Sequence, residues 1–237
     1  MLGILLMKNS SSLSDNQLRE LYRDAYVQKY HQSDSGRLQH ILQHIPISHK
    51  DEVADYACGN GLLVDALKTL PKSYWGIDFS SEFIQEAKRR FSSHPVKPKF
   101  ICQDIISFTS RHQNQFDWAF TLDFSEHIYD DQFIQIYQAI GHSLKKSGHL
   151  VLHTPNADFI LERLKSHNWL LRQFPEHIAV RYVGQYQKLL TAAGFTDISV
   201  LYLPHYHPLL SWLGIFHSCP ILGHFVRARL LITAQAK

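Results

Sequence analysis

A strand-like apolar run enters a glycine-containing turn that could hold a nucleotide-type ligand. Residues 53–63 read VADYACGNGLL, with an acid at Asp55 and glycines at Gly59 and Gly61. Glycine adopts backbone conformations closed to other residues and lets a ligand approach the main chain. The helix predicted after Gly61 would present unpaired N–H groups at its start. This stretch therefore predicts a turn that cradles a ligand.

Two further acids follow apolar runs of the same kind. Asp78 comes directly after Tyr74–Ile77 and lies 19 residues after Gly59, close to the roughly 20-residue spacing of acids that bind a nucleotide ribose. Asp104 follows a third run, Phe100–Cys102. By itself the glycine turn could be only a turn, and either acid could be only a helix cap. The three together, in this order, favour a nucleotide-type ligand.

Alternating strands and helices must position these residues. Such alternation is typical of a parallel sheet covered by helices on both faces. The predicted strands are Glu52–Tyr56, Tyr74–Ile77, Phe100–Cys102, Asp117–Thr121, His149–His153, Phe195–Leu203 and Val226–Ala234. The predicted helices are Ser14–Tyr30, Leu38–Ile45, Leu62–Leu70, Ser81–Phe91, Asp131–Leu144 and Tyr182–Ala193. The three acids would then lie at strand ends, where α/β sheets bind ligands.

Composition excludes several classes of function. A chain of 237 residues with 45% hydrophobic residues suits one globular domain. A net charge of +3 is too small to indicate a nucleic-acid partner. Three widely spaced cysteines form neither a zinc motif nor a disulfide framework and favour the cytoplasm. No run reaches the ~18 apolar residues of a transmembrane segment, and His205 and His207 lack a third ligand, so we expect no metal site.

Several motifs resemble those of one enzyme family. Residues 55–61, DYACGNG, resemble the first motif of class I S-adenosylmethionine (SAM)-dependent methyltransferases, usually D-x-G-C-G-x-G. Residues 116–128, FDWAFTLDFSEHI, resemble the fourth-strand motif of the quinone O-methyltransferase-like branch. Residues 144–156 and 176–195 are similar to its fifth strand and to its later helix and sixth strand. The resemblance spans about residues 50–200.

The resemblance implies a fold, a domain division and an activity. The expected fold is α/β: a doubly wound, Rossmann-like, seven-stranded, mostly parallel sheet with an antiparallel last strand and an N-terminal helical cap. Within a single domain, the cap would span 1–48, the cofactor-binding core 49–155, and the substrate-side helices with the last two strands 156–237. The expected activity is methyl transfer from SAM to a small molecule, with an oxygen of an apolar or aromatic compound as acceptor.

The resemblance also implies contacts to the polar parts of SAM. Asp55 and the glycine turn would hold its methionine end. Asp78 would accept hydrogen bonds from both ribose hydroxyls. Asp104 would take the adenine amino group, with the N–H of Ile105 at the ring edge.

Apolar contacts complete the predicted cofactor site. Phe79 and Leu122 would flank the adenosine, and Tyr30 would close over the methionine carboxylate. Ala57 stands where the family has its first glycine, so we expect some loss of room or affinity there. The whole predicted set comprises Tyr30, Asp55, Ala57, Gly59, Asn60, Gly61, Asp78, Phe79, Asp104, Ile105 and Leu122.

Two histidines are candidate catalytic residues. A phenol or enol acceptor must lose a proton, and histidine is suited to take it near neutral pH. His127 follows the fourth strand, in the loop that should border the methyl group; it could equally cap the next helix. His177 lies in a segment that could fold over the pocket, or it could be a surface residue.

Two questions stay open in the sequence. Apolar residues 208–222 could shape a substrate pocket, contact a membrane surface, form a homodimer interface or pack on the sheet. An NAD-dependent oxidoreductase would also show a strand, a glycine turn and an acid, but it normally needs a third glycine, where this chain has Val64. A non-catalytic SAM-binding module acting through the apolar segment is the other alternative.

Overall fold

Parallel pairing brings the predicted strand ends to one edge of a single sheet. The computed structural model describes residues 35–94, 97–166, 179–206 and 226–237. Within them the strands are β1 (Glu52–Tyr56), β2 (Ser73–Asp78), β3 (Lys99–Cys102), β4 (Phe116–Leu122), β5 (Leu144–Pro155), β6 (Phe195–Leu203) and β7 (Arg229–Ala236). Their order is β3-β2-β1-β4-β5-β7-β6, and β7 runs antiparallel to both neighbours. This is the predicted seven-stranded, mostly parallel sheet.

Helices cover both faces of the sheet because successive strand residues point to opposite sides. The helices of the described residues are α1 (Ser35–Leu42), α2 (Leu62–Ala66), α3 (Ser81–Arg90), α4 (Ile105–Thr109), α5 (Asp130–Ser143), α6 (Ile160–Ser166) and α7 (Val183–Ala192). On β1, Val53 packs with α1, α2 and α3, whereas Ala54 and Tyr56 pack with α4, α5 and α7. The sheet is therefore doubly wound.

Local sequence explains where α3 begins and ends. The Ser80 hydroxyl accepts a hydrogen bond from the Phe83 N–H at 3.3 Å, an N-cap that satisfies an otherwise unpaired donor. Phe83, Ile84 and Ala87 bury one face of the helix. Basic residues fill the last turn, where they interact favourably with the helix dipole. The helix thus fixes the chain directly after Asp78.

Several element boundaries differ from the sequence prediction. The helix after the glycine turn ends at Ala66 because Leu67 adopts an extended conformation. β5 begins at Leu144, five residues before the predicted start, because Leu144 already pairs with Phe116. Polar residues in this early part of the strand hide the apolar alternation on which the prediction relied.

Parts of the sequence prediction lie outside the described residues. They are the helix Ser14–Tyr30, and with it most of the N-terminal cap, together with His177 and the apolar segment 208–222. Among the residues that the structure does describe, none of the helices has the length and apolar character needed to cross a membrane.

Candidate active site

The turn between β1 and α2 uses left-handed backbone at three positions. The φ angles are 58° at Ala57, 54° at Gly59 and 80° at Gly61. Ala57 is thus a non-glycine residue in a region that costs L-residues roughly 1–2 kcal/mol. A Cβ atom on Gly61 would lie 2.8 Å from Cζ of Phe100, so packing against β3 requires glycine there. Room for a ligand is therefore not the only reason for glycine at this turn.

Asp78 binds the glycine turn directly. Its Oδ2 accepts the Gly59 N–H at 3.0 Å, and its Oδ1 accepts the Ser80 N–H at 2.9 Å. Burial raises the pKa of Asp78 to about 6, against the lowering effect of these hydrogen bonds. Each carboxylate oxygen has two lone pairs, so both can accept a further donor. The carboxylate can therefore hold the turn and a hydroxyl-bearing ligand together.

Asp55 lies beneath the same turn and is only 3% exposed. The Tyr74 hydroxyl donates to its Oδ2 at 2.5 Å. Burial, with a smaller contribution from the charge of Asp78, raises the pKa of Asp55 to about 7 against the lowering effect of the Tyr74 hydrogen bond. The two strand tips thus hold two buried carboxylates, a pair that a cationic ligand would stabilise.

The third strand tip joins the first two through the main chain. The Gln103 N–H donates to the carbonyl of Asp78 at 2.9 Å. Asp104 is exposed and caps α4, since its Oδ1 accepts the Ser107 N–H at 2.8 Å. The capping role considered from the sequence is therefore real, and it leaves an acid at the sheet edge next to Ile105. Three of the predicted strand ends meet at one place.

Apolar surface accompanies these acids. Phe79 follows Asp78 and is 40% exposed, although it is a large aromatic residue. Leu122, at the end of β4, and Ile105 are both partly buried. An exposed aromatic ring beside polar groups that converge is typical of a ligand site. The residues present therefore fit an adenosine group, with its apolar base and polar ribose.

Asn60 supports the turn from within. It has no exposed surface, and its main-chain carbonyl accepts a hydrogen bond from Nη1 of Arg90 at 2.7 Å. Arg90, the last residue of α3, also pairs with Asp65 on α2. Asn60 thus connects the turn to α3.

A buried arginine positions the loop that carries His127. Arg181 is 2% exposed and donates to the carbonyls of Ser125 and Ile128, each at 2.6 Å. Ser125 is the first residue of the 3-10 turn Ser125–His127, and Ile128 directly follows it. Glu126 is 1% exposed and accepts from the Thr154 hydroxyl at 3.2 Å. Glu126 thus lies in the interior, whereas the next residue, His127, is only half-buried.

Beyond β4, the structure reveals a charged cluster that the sequence analysis missed. Asp123, with φ 52°, pairs with Arg37 of α1 and with Arg229 of β7, the latter at 3.3 Å. Burial alone would raise the pKa of Asp123, but the positive charge of Arg37, the hydrogen bond with His153 and the positive charge of Arg229 hold it well below its usual range. A strand-end position, the signal that identified Asp78, could have identified Asp123 and His153 as well.

His153, near the end of β5, links Asp123 to an aromatic hydroxyl. Its Nδ1 lies 2.9 Å from Oδ1 of Asp123, and its Nε2 lies 3.0 Å from Oη of Tyr206. The Asp123 N–H also donates to the carbonyl of His153 at 2.8 Å. The ends of β4 and β5 and the chain beyond β6 therefore meet around this histidine.

The predicted site residues divide into two groups. The structure assembles Asp55, the turn from Ala57 to Gly61, Asp78, Phe79, Asp104, Ile105 and Leu122 at the carboxyl edge of the sheet. His127 lies after β4 on the same edge. Tyr30 and His177 lie outside the described residues, so their assignments stay predictions.

Comparisons with known proteins support an enzyme of one family. A ubiquinone biosynthesis O-methyltransferase of Yersinia pestis (strain Pestoides F) is 23% identical over 203 residues, covering 84% of this chain and 78% of that protein. A SAM-dependent methyltransferase from Archaeoglobus fulgidus superposes with a TM-score of 0.64 at 15% identity, covering 89% of this chain and 98% of that one. A geranyl diphosphate C-methyltransferase from Streptomyces coelicolor A3(2) gives 0.63 at 13% identity, covering 91% and 84%.

The family itself follows from a match over most of the chain. Residues 28–200 match the family described as methyltransferase domain. This match favours the methyltransferase over the NAD-dependent oxidoreductase that the glycine turn also allowed. The chain therefore belongs to the methyltransferase domain family and is a SAM-dependent methyltransferase.

Proposed function

We propose that this protein transfers the methyl group of SAM to an oxygen of a small apolar or aromatic molecule. The observation that carries the proposal is the meeting of the turn, Asp78 and exposed Phe79 at one sheet edge. The curated relative is named an O-methyltransferase, which favours oxygen, although a structural neighbour is named a C-methyltransferase. A phenol is the acceptor that combines an apolar body with an oxygen nucleophile.

The carboxyl edge offers a contact for each part of the cofactor. Asp78 would accept the ribose hydroxyls, Asp104 the adenine amino group, and the Ile105 N–H would reach the ring edge. Phe79 and Leu122 would flank the adenosine. Asp55, Asn60 and the turn from Ala57 to Gly61 would hold the methionine end, with Tyr30 over its carboxylate. Bound SAM supplies an electrophilic methyl group, so the protein's main task is alignment of the acceptor.

The loop after β4 would carry the acceptor-side chemistry. The Arg181 clamp fixes the backbone on both sides of His127. The half-buried imidazole of His127 would contact the oxygen of the acceptor or take the proton of that oxygen. His177 is proposed as a second contact that closes over the acceptor.

The setting of the enzyme is part of the proposal. We place the reaction in the cytoplasm because Cys58 and Cys102 are free thiols, as expected in a reducing compartment. We also keep the division into a cap (1–48), a cofactor-binding core (49–155) and a substrate side (156–237). Segment 208–222 is proposed to contact the apolar acceptor, a membrane surface or a second copy of the chain.

Replacing Asp78 tests the cofactor site. Asp78→Asn should weaken SAM binding roughly tenfold to a hundredfold in calorimetry, since a charge-assisted hydrogen bond contributes about 1.5–3 kcal/mol. Because burial raises the pKa of Asp78 to about 6, wild-type affinity should decrease as pH falls from 7 to 5, and the variant should keep only the weaker dependence that Asp55 contributes. Exposed Asp131→Asn is the control. Unchanged affinity in Asp78→Asn would contradict the ribose contact.

Methylation assays test the activity and the acceptor class. We expect SAM, and not NADH, to raise the melting temperature of the purified protein. Labelled SAM should then transfer its methyl group to simple phenols and catechols. SAM binding without labelling of any phenol or of a cell extract would leave the family assignment intact, but it would contradict the proposed acceptor.

A further inference from the structure

Three side chains form a continuous hydrogen-bonded chain at the carboxyl edge. Asp123 follows β4, His153 lies on β5, and Tyr206 follows β6. The imidazole of His153 is 2.9 Å from the carboxylate and 3.0 Å from the phenolic oxygen. His153 has no exposed surface, whereas Tyr206 is partly exposed. Of these two residues, Tyr206 is therefore the one that presents surface to a ligand.

The chemistry of the three groups fixes the direction of both hydrogen bonds. The low pKa of Asp123 keeps it ionised, so it can only accept, and Nδ1 of His153 must carry the proton. Burial lowers the pKa of His153 against the raising effect of Asp123, so the imidazole is neutral near pH 7. Its Nε2 must then accept the hydrogen bond from Tyr206. The Tyr206 oxygen, as a donor to Nε2, keeps lone pairs that can accept a hydrogen bond from a ligand.

Titratable and charged side chains surround the three hydrogen-bonded residues. Arg37 of α1 and Arg229 of β7 lie beside the carboxylate of Asp123 and favour the neutral form of His153. The ring of His40, also on α1, lies 6.3 Å from that of Tyr206. Asp123 is the carboxylate placed to stabilise an imidazolium once a proton arrives at His153. The cluster thus combines an unprotonated Nε2 of His153 with a carboxylate, that of Asp123, which can stabilise the imidazolium formed by proton transfer.

We propose that Tyr206 takes the proton of a phenolic acceptor and passes its own hydroxyl proton to His153. The O–H bond of the acceptor breaks, its proton moves to the Tyr206 oxygen, and the proton of Tyr206 moves to Nε2 of His153. The electron pair stays on the acceptor oxygen, which becomes the nucleophile. Tyr206 is the catalytic residue, and His153 and Asp123 are positioning residues.

This inference rests on the proposed function, because it needs a phenol at the carboxyl edge. Asp123 directly follows Leu122, which is proposed to flank the adenosine, so the relay begins next to the cofactor. The relay also assigns the proton to a residue other than His127, which lies four residues after Asp123 in the sequence. In this scheme His127 contacts the acceptor without taking its proton.

The ionisation of a coloured phenol tests the relay without turnover. 4-Nitrophenol is titrated into the protein saturated with S-adenosylhomocysteine at pH 6, and phenolate absorbance is recorded. Wild type should bind a larger fraction of the probe as phenolate than is ionised in free solution at this pH. Tyr206→Phe, and His153→Gln, which keeps an acceptor without basicity, should reduce the ratio of bound phenolate to bound phenol roughly tenfold or more. His127→Gln tests the competing base, and it should lower this ratio less than Tyr206→Phe does.

Matched controls lie on the same strands. Tyr202→Phe on β6 removes a hydroxyl from a ring that packs on Arg227 at 4.6 Å, outside the relay. His149→Gln on β5 removes an imidazole that stacks on Trp118 at 4.7 Å. Both should bind the probe as phenolate. Melting curves verify that each variant folds. If the variant at buried His153 unfolds, Tyr206→Phe still tests the relay, because Tyr206 is partly exposed.

The outcomes distinguish failure of the relay from failure of the proposed phenolic acceptor. Equal phenolate absorbance in wild type and Tyr206→Phe overturns the relay, as does a wild type that binds only the neutral phenol. Loss of phenolate in His127→Gln alone assigns the proton to His127 and also overturns the relay. A wild type that binds SAM but no 4-nitrophenol contradicts the phenolic acceptor itself, and the relay falls with it.

Discussion

At the scale of single residues, the cofactor edge carries an electrostatic cost. Asp55 and Asp78 are buried carboxylates with pKa values raised to about 7 and about 6, mainly by burial. In the unfolded chain both would titrate near 4. The folded protein therefore keeps protons that the unfolded chain has lost between about pH 4 and pH 7. The unfolding free energy falls as pH rises through this interval.

Replacing Asp55 should remove part of this cost. Asp55→Asn keeps an acceptor for the Tyr74 hydroxyl but no charge, so at pH 8 it should be more stable than wild type by on the order of 2 kcal/mol. The gain should vanish below about pH 3, where Asp55 is protonated in both states. Denaturant unfolding at both values measures it. The control is Asp197→Asn, at an exposed position with φ 48° that asparagine also tolerates. A variant less stable at pH 8 would refute this account.

At the scale of elements, strand ends are held together by loops with buried donors. Arg181 shows this most clearly, because one guanidinium binds the carbonyls of Ser125 and Ile128 and, at 2.7 Å, the carboxylate of Asp130 at the start of α5. Its planar fork matches several acceptors at once, which the single ammonium of lysine does not. The geometry of the loop around His127 therefore depends on a residue more than 50 positions later in the chain.

The Arg181→Lys variant tests this dependence. It keeps the charge but leaves at least one buried carbonyl unsatisfied, at a cost on the order of 2–3 kcal/mol in unfolding free energy. Turnover should decrease while SAM affinity changes little, because the cofactor contacts of β1 to β3 stay in place. Arg111→Lys, at an exposed position, is the control and should match wild type. Equal melting temperatures for the two variants would show that the clamp is dispensable.

At the scale of the whole molecule, Asp123 forms ion pairs and a hydrogen bond with residues that are far apart in the sequence. Arg37, His153 and Arg229 come from the first described helix, the fifth strand and the last strand. Its depressed pKa contributes stability that is present above the ordinary carboxyl pKa near 4 and is lost as pH falls below it. This is the opposite of the pH dependence that Asp55 and Asp78 confer.

Removing this carboxylate should weaken the whole fold. Asp123→Asn leaves two guanidinium groups without their counter-ion, and we expect a loss on the order of 2–3 kcal/mol that persists from pH 8 to pH 5. The difference from wild type should narrow below about pH 4. Glu86→Gln removes the partner of Arg89, which is 73% exposed, and should cost at most about 1 kcal/mol. Equal losses in the two variants would contradict the role of burial at Asp123.

Much of the cofactor edge could be predicted because its signals are local. A strand, a glycine turn and an acid at the next strand end are read from residues close together, and all three predicted acids lie at strand ends of the observed sheet. The seven-stranded, mostly parallel sheet and its antiparallel last strand agree with the resemblance. The contacts proposed for each cofactor residue remain predictions, since burial and hydrogen bonding alone do not identify a bound group.

The alternation of elements, the glycine turn and the positions of the strand-end acids could be predicted from the sequence, because they depend on neighbours within a few residues. The fold was needed to show that a side chain at Gly61 would collide with Phe100, that Arg181 clamps the loop of His127, and that Asp123, His153 and Tyr206 are linked by hydrogen bonds. The physical reason is that burial and pairing over 30 or more residues arise only when the sheet brings separate strand ends to one edge.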